Sequence, residues 1–442
     1  MTTVKPPPLP LIFSITVTGI LANTLVGPAI PDILEAFDQP DSRAGFFVAA
    51  GTLPGIVMAP VIGVLADRFG RRAVLVPCLV AFGTFGLLSA LAPTFPALLA
   101  LRLLQGIGSA GLINLAVVLI GDHWTGLERA RLVGQNAAIL TISLAVFPPL
   151  GGLLTEVGGW RLSFVPYALG LATAVLIYRR LDANRPAGGV TFRAQLRGAG
   201  SAIRHREVVG SVTMGFVIFM LIFGLFLTAM PVHLESEFGL SAGQRGLVIA
   251  VPAITSTFTA LRLGWLRATF GGVRLLVGAG VLFAVAFAVI GGAAALPLLI
   301  GAALLYGLGE GVFIPTLQDI VAGASSPEQR GAVVAVWVGS ARAGQTAGPL
   351  LAAAVYGATS TSTTFVLGGV VAAALVVYEL VGRFGGAEHG ASPTHGALAL
   401  VASPTDCHGG HQCPVHRALA SPARGGSAAA LARKGRTAGA TA

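Results

Sequence analysis

Two ionisable residues stand isolated in otherwise apolar sequence: Glu310 in "YGLGEGVF" and Arg342 in "GSARAGQ". A carboxyl inside an apolar medium can load and unload a proton, because burial favours its neutral form and a nearby cation its charged form. Arg342 can dock an anion or hold that carboxylate in a permanent ion pair, and both readings stay open at this stage. Asp32 in "PAIPDILEAF" and Arg102 in "LRLLQGIGSAG" form a second carboxylate and cation. Asp32 is read as a proton or cation residue at an outer mouth, or as a helix-end carboxylate in water. Asn23, Gln105, Asn114, Asn136 and Gln345 are uncharged polar residues in apolar runs. Each can bond a substrate or a neighbouring helix. A different chemistry is offered by "DCHGGHQCPVHRA", which packs Cys407, His408, His411, Cys413 and His416 into ten positions. Thiolate and imidazole ligands suit Zn or Cu, although the spacing matches no standard zinc-finger pattern, and a tail can also carry such residues without consequence.

Only 10% of the residues are charged, against about 25% in ordinary globular domains; 54% are hydrophobic, and mean hydropathy is +0.81. A bilayer core about 30 Å thick needs roughly 20 apolar residues per helical span. Such runs occur at 9–31, 43–66, 73–93, 96–120, 131–155, 161–178, 208–232, 243–265, 274–293, 295–321, 331–356 and 361–381. With no water in lipid to satisfy the backbone, these runs must be helices. The fold class expected is therefore an all-α polytopic membrane protein with twelve transmembrane helices. The first run is too long for a signal-peptide core and lacks a small-residue cleavage site after it, so it reads as a retained helix.

The net charge of +10 follows the same topology. With the N-terminus cytoplasmic, 23 of the 28 Lys and Arg fall in cytoplasmic segments. Three (Arg43, Arg161, Arg245) fall in outside loops, and two (Arg102, Arg342) inside helices. This bias places both termini in the cytoplasm and removes the nucleic-acid reading of the basic charge. Cys78 lies in the third span, and neither it nor the two tail cysteines is placed to form a structural disulfide.

Internal similarity recurs at one offset. Gly63 returns as Gly264, Gly70 as Gly271, Gly106 as Gly307, Gly108 as Gly309, Arg129 as Arg330, Pro148 as Pro349 and Phe164 as Phe365, always 201 residues on. Two pseudo-symmetric six-helix halves in parallel orientation are expected, with a site near the membrane midplane between them. The divisions are 1–180 for the first half, 181–207 for a cytoplasmic linker, 208–381 for the second half and 382–442 for a disordered cytoplasmic tail. In the linker, Phe192, Leu196, Ala199 and Ile203 share one helical face, which fits a short helix on anionic headgroups or a plain linker. Glu310 has Ser109 as its counterpart, so the carboxylate breaks the symmetry.

The stretch "GVLADRFGRR" (63–72) resembles the signature loop between helices 2 and 3 of the major facilitator superfamily. "LRLLQGIGSAG" (101–111) resembles its helix 4 motif. "NTLVGPAIPDI" (23–33) and "GGWRLSFVPYALG" (158–170) resemble segments of its drug/proton antiporter branch. "FPPLGG" (147–152) departs from that branch, with Phe147 where Gly is usual. The resemblance implies that Asp67 locks the cytoplasmic side shut by meeting the N-terminus of helix 11. It also implies that Arg102 faces the central cavity, influencing proton transfer or substrate charge; the other reading is a structural arginine satisfied by helix-end carbonyls of a neighbouring helix. In the signature itself, Arg68, Arg71 and Arg72 hold topology, Gly63 permits close helix contact and Gly70 a tight turn. Asp122 is a partner for Arg68 or Arg71.

These readings converge on a secondary active transporter in the cytoplasmic (inner) membrane that acts as a monomer. Its expected work is proton-coupled export of small amphipathic molecules by alternating access, because sparse intramembrane charge suits neither a polyanion nor a large sugar. A proton symporter or facilitator importing a small metabolite is the alternative, and a membrane sensor acting through the Cys/His tail is a third. No nucleotide-binding motif and no catalytic constellation is present in the sequence, so neither an enzyme nor a resident cofactor is expected, apart from Zn or Cu on the tail.

Overall fold

The computed structural model describes residues 6–182, 206–323 and 330–382, and among them every regular element is helical. The membrane-spanning units are α1 (Leu9–Ala36), α2 (Asp41–Phe69), α3 (Arg71–Ser89), α4 (Phe95–His123), α5 (Gly126–Gly158) and α6 (Leu162–Arg180) in the first half. The second half has α7 (Val208–Ser236), α8 (Ala242–Phe270), α9 (Gly272–Gly292), α10 (Leu296–Val321), α11 (Arg330–Ala358) and α12 (Thr361–Gly382). Eleven of these are long and apolar enough to cross a bilayer; α11, with Ser340, Arg342, Gln345 and Thr346 in mid-span, falls outside that set. The Cys/His tail and the linker face of Phe192 lie outside the described residues.

The 201-residue repeat is written into the packing. Gly70 and Gly271 both take positive φ, at 95° and 77°, with ψ near 150–160°. That backbone region is essentially reserved for glycine, so both loops need it for the turn into α3 and α9. Gly106 sits against the backbone of Gly51, and Gly307 against that of Pro252, so α4 docks on α2 as α10 docks on α8. The first helix of each half is irregular at matching register: α1 breaks into a 3-10 turn at Gly27–Ala29, and α7 widens into a π-helix over Ile222–Ala229. Such irregular turns expose carbonyls that straight helices would consume.

Successive spans alternate direction, which defines two ends. The signature end carries the Gly70 and Gly271 turns; the far end carries the 37–40 and 237–241 turns. At the far end the two halves touch closely: the Ala44–Thr52 part of α2 packs on α11, and the Ala242–Ala250 part of α8 packs on α5. Gly45 lies against Pro349 and Ala353, and Gly246 against Pro148 and Pro149. Toward the signature end the same helices are mostly bare. Within Pro54–Phe69 only Gly55, Ile62 and Ala66 are buried, and within Pro252–Phe270 only Pro252, Ala253 and Thr259. The bundle is closed at the far end and splayed at the signature end.

One expectation is corrected here. Gly63 does not make a close helix contact: a side-chain carbon there, or at its counterpart Gly264, would meet nothing within 4 Å. The halves have separated at that end, so the surface Gly63 offers is uncovered.

Candidate functional site

A cavity of about 330 Å³ lies between the halves. Its charged lining consists of Glu310 from α10 and Arg342 from α11. Their counterparts 201 residues earlier, Ser109 and Thr141, line the same cavity from the first half. The repeat therefore places four equivalent positions around one space and charges only the second half. Asn23, Asn114 and Gln345 also reach it. The aromatic wall comes from the second half, including Phe219, Phe226, Tyr306 and Trp337. Phe226 and Tyr306 stack with ring centroids 4.5 Å apart and nearly parallel planes.

Glu310 sits beside that stack and accepts a hydrogen bond from the Tyr306 hydroxyl at 3.4 Å. Arg342 points the other way. It donates to Gln345 Oε1 at 3.1 Å and, across the gap, to the Ala110 carbonyl at 3.4 Å. Ala110 lies where α4 is interrupted between Ser109 and Leu112, which leaves its carbonyl without a helical partner. The permanent Glu310–Arg342 pair is not formed: the ion pairs among the described residues are Arg71–Asp67, Arg71–Asp122, Arg245–Asp32 and Arg267–Asp319. The two charges share a cavity and leave each other unneutralised.

Arg102 does not face the cavity, against what the resemblance implied. It is buried inside the first half at 2% exposure, donating to the Ala22 carbonyl at 3.1 Å, Gln105 Oε1 at 2.7 Å and the Tyr167 hydroxyl at 3.3 Å. Its guanidinium lies 4.8 Å from the Phe47 ring centroid. The carbonyl it caps lies next to the break in α1, so the cation replaces hydrogen bonds that the break removes. Gln105 Oε1 accepts from Arg102 within α4, and Asn136 Oδ1 accepts from Thr16 at 2.6 Å, joining α5 to α1; neither residue lines the cavity. Replacing Arg102 by Gln is expected to lower the melting temperature of the purified chain by several degrees, since buried carbonyls lose a charged donor. An unchanged melting temperature would overturn this positioning role.

At the signature end, Arg71 bridges two carboxylates, Asp67 on α2 and Asp122 on α4, the latter at 2.9 Å. Asp122 is thus partnered as expected. Asp67 is held by Arg71 within its own half rather than meeting α11, because this end is open. Arg72 stacks on Tyr178 at 4.5 Å and Arg68 on Phe69 at 5.4 Å. The second half makes its own link, Arg267 on α8 to Asp319 on α10, which the repeat did not reveal.

The far end holds the largest surprise. Arg245 is not in a loop; it lies in the first turn of α8, 3% exposed, and pairs with Asp32 of α1. Its Nε also donates to the Pro28 carbonyl at 3.0 Å. Beside it, Glu156 of α5 accepts from the Ser241 hydroxyl and from the Gly243 amide at 3.1 Å. A carboxylate at a helix N-terminus is favourably placed. Asp32 is therefore part of a closure between halves, neither a free mouth residue nor a lone solvated carboxylate. A signal was present in the sequence, an arginine directly after a Ser-x-x-Gln capping box, but nothing local names its partner 213 residues away.

Two symmetric helical halves enclose a charged cavity and meet closely at one end, the architecture of a polytopic transport protein. The Major Facilitator Superfamily model matches residues 12–235 and 212–397, and the chain belongs to that family. It is 31% identical over 173 residues to the Bacillus subtilis multidrug transporter protein MdtP, covering 39% of this chain and 32% of that one. The match thus spans about a third of that relative's length. It is 25% identical over 354 residues to the Escherichia coli class B tetracycline resistance protein, covering 77% of this chain and 86% of that one. The solved human organic anion transporter MFSD10 (TETRAN) superposes with a TM-score of 0.65 at 22% identity, over 84% of this chain and 98% of that one. The chain thus belongs to a family of membrane transporters, not of enzymes, and efflux proteins are among its relatives.

Proposed function

We propose that the chain exports small amphipathic molecules in exchange for protons, rocking its halves about the central cavity. The signature end is cytoplasmic on the positive-inside bias, in the inner membrane of the cell, so the conformer described is open inward. The observation that carries the reading is Glu310: a carboxyl in the cavity with no cation partner among the described residues, held only by the Tyr306 hydroxyl. A charge in that position is costly, and it is relieved either by a proton or by a cationic group on the substrate. Competition of the two for one carboxylate makes exit of substrate and entry of protons exclusive events. Multidrug and tetracycline-resistance relatives support the export direction.

In proteoliposomes, Glu310→Gln is expected to abolish transport driven by a proton gradient while leaving substrate counterflow intact. Unchanged gradient-driven accumulation would overturn the role of Glu310. Substrate uptake accelerated by an inward proton gradient, in place of expulsion, would replace export by symport.

A further inference from the structure

We propose that the cavity recognises a zwitterion: a flat apolar body bearing an ammonium group, read by Glu310, and a carboxylate, read by Arg342. This rests on the reading of Glu310 as the residue exposed to substrate. Glu310 and Arg342 line one cavity of about 330 Å³, yet they form no ion pair with each other. Every partner recorded for them is neutral: Tyr306 for Glu310, Gln345 and Ala110 for Arg342. Two opposite charges that could neutralise one another inside a weakly polar space instead point apart, one against the Phe226–Tyr306 stack, the other toward α4 of the opposite half.

The ligand that relieves both is one that carries both complements. A simple organic cation would satisfy Glu310 and be repelled by Arg342 within the same small volume. A simple organic anion would satisfy Arg342 and meet repulsion from Glu310. A neutral molecule would leave both charges desolvated and unpaired, the costly arrangement for buried ions. Arg342 has donors to spare: a guanidinium carries five N–H groups in a planar fork suited to a carboxylate, and two hydrogen bonds are recorded for it. For the ammonium, the aromatic stack beside Glu310 adds cation–π attraction. Asn23 adds a further acceptor, since its buried Oδ1 in the cavity wall has no hydrogen-bond partner. The flat body follows from the parallel rings of Phe226 and Tyr306, with Phe219 and Trp337 completing an aromatic wall on the same half. The first half, with Ser109, Thr141 and Asn114, presents only neutral polar groups. Both charged recognition groups therefore come from the second half, with Asn23 of the first half adding a neutral acceptor.

The test uses the full chain purified in detergent, with no gradient, so that it reads binding alone. Three radiolabelled probes share one body: biphenylalanine (zwitterion), its methyl ester (cation only) and its N-acetyl derivative (anion only). The zwitterion is expected to bind at least about tenfold more tightly than either single-charge probe. Glu310→Gln should erase the advantage over the N-acetyl probe, and Arg342→Gln the advantage over the ester. Melting temperatures report whether each variant remains folded; the wild-type comparison stands without them. Equal binding of ester and zwitterion, equal binding of N-acetyl probe and zwitterion, or no binding of any of them overturns the proposal. Because no proton gradient enters the assay, failure of proton coupling would show in the proteoliposome experiment and not here.

Discussion

Asp32→Ala, with Arg245 left in place, is expected to shift the protein toward a conformer open at the far end by roughly 30- to 150-fold. Removing one member of a buried ion pair costs about 3–5 kcal/mol, because the remaining charge is stranded. The Arg245 side chain is 3% exposed and that of Asp32 37%, so water offsets part of the loss, leaving about 2–3 kcal/mol. Each 1.4 kcal/mol is a factor of ten. The penalty falls on the conformer described because only far-end closure brings α1 and α8 together; when that end opens, Arg245 regains water. Labelling of a Leu144→Cys variant by a membrane-impermeant thiol reagent measures the shift, since Leu144 lines the cavity. Labelling from the far side should accelerate with Asp32→Ala and return toward the parent rate when Asp32→Arg is combined with Arg245→Asp. An unchanged labelling rate would show that the pair does not hold the closure. Glu156→Gln should act in the same direction with a smaller effect, as Ser241 and Gly243 retain a neutral acceptor.

The residues differed in how legible they were, for physical reasons. Spans and the two-fold repeat could be read because each depends on local composition or on the chain compared with itself. Glu310 stood out because a carboxylate in an apolar run is rare whatever surrounds it. The misplacements of Arg102 and Arg245 have a common origin. A charge in or near a span must be satisfied, but the sequence does not say by what. Arg102 is satisfied by a carbonyl freed where α1 breaks, and a broken helix has nearly the composition of an intact one. Arg245 is flanked by Gly243, Gln244 and Gly246, which read as a turn; those small residues instead let α8 approach α5. The Arg267–Asp319 link was missed because repeat alignment compares like with like. The second half makes its link with the cation on α8, whereas the first places a carboxylate on α2. The counterparts of Arg267 and Asp319 are Ala66 and Val118, which carry no charge, so the register that aligns the halves cannot announce this pair.

The same repeat, together with the empty space at the signature end, yields the last expected result. Gly63→Leu and Gly264→Leu are each expected to leave folding and substrate binding intact while reducing transport to background. Gly63 lies 18 residues beyond Gly45 along α2, which is about five turns at 3.6 residues per turn. Both therefore face the same direction, apart from the offsets where Pro54 begins the second part of the helix and where Pro60 interrupts its hydrogen bonding. Gly45 meets Pro349 and Ala353 of α11 at the closed end. Gly63 must meet the other end of α11 when closure passes to the signature end. Gly264 stands in the same relation to Gly246, which meets α5 at Pro148. In the conformer described a Cβ at either position meets nothing within 4 Å outside its own helix, so a leucine starts into open space and the melting temperature should hold. When the ends exchange, an extra side chain at a glycine-sized gap forces the helices apart, with overpacking typically costing about 1–3 kcal/mol for each site and more where backbone is met. The double variant should be trapped open at the signature end, binding the zwitterionic probe in detergent without moving it across a bilayer. Wild-type transport rates in that variant would mean that the glycine face of α2 and α8 plays no part in closing that end.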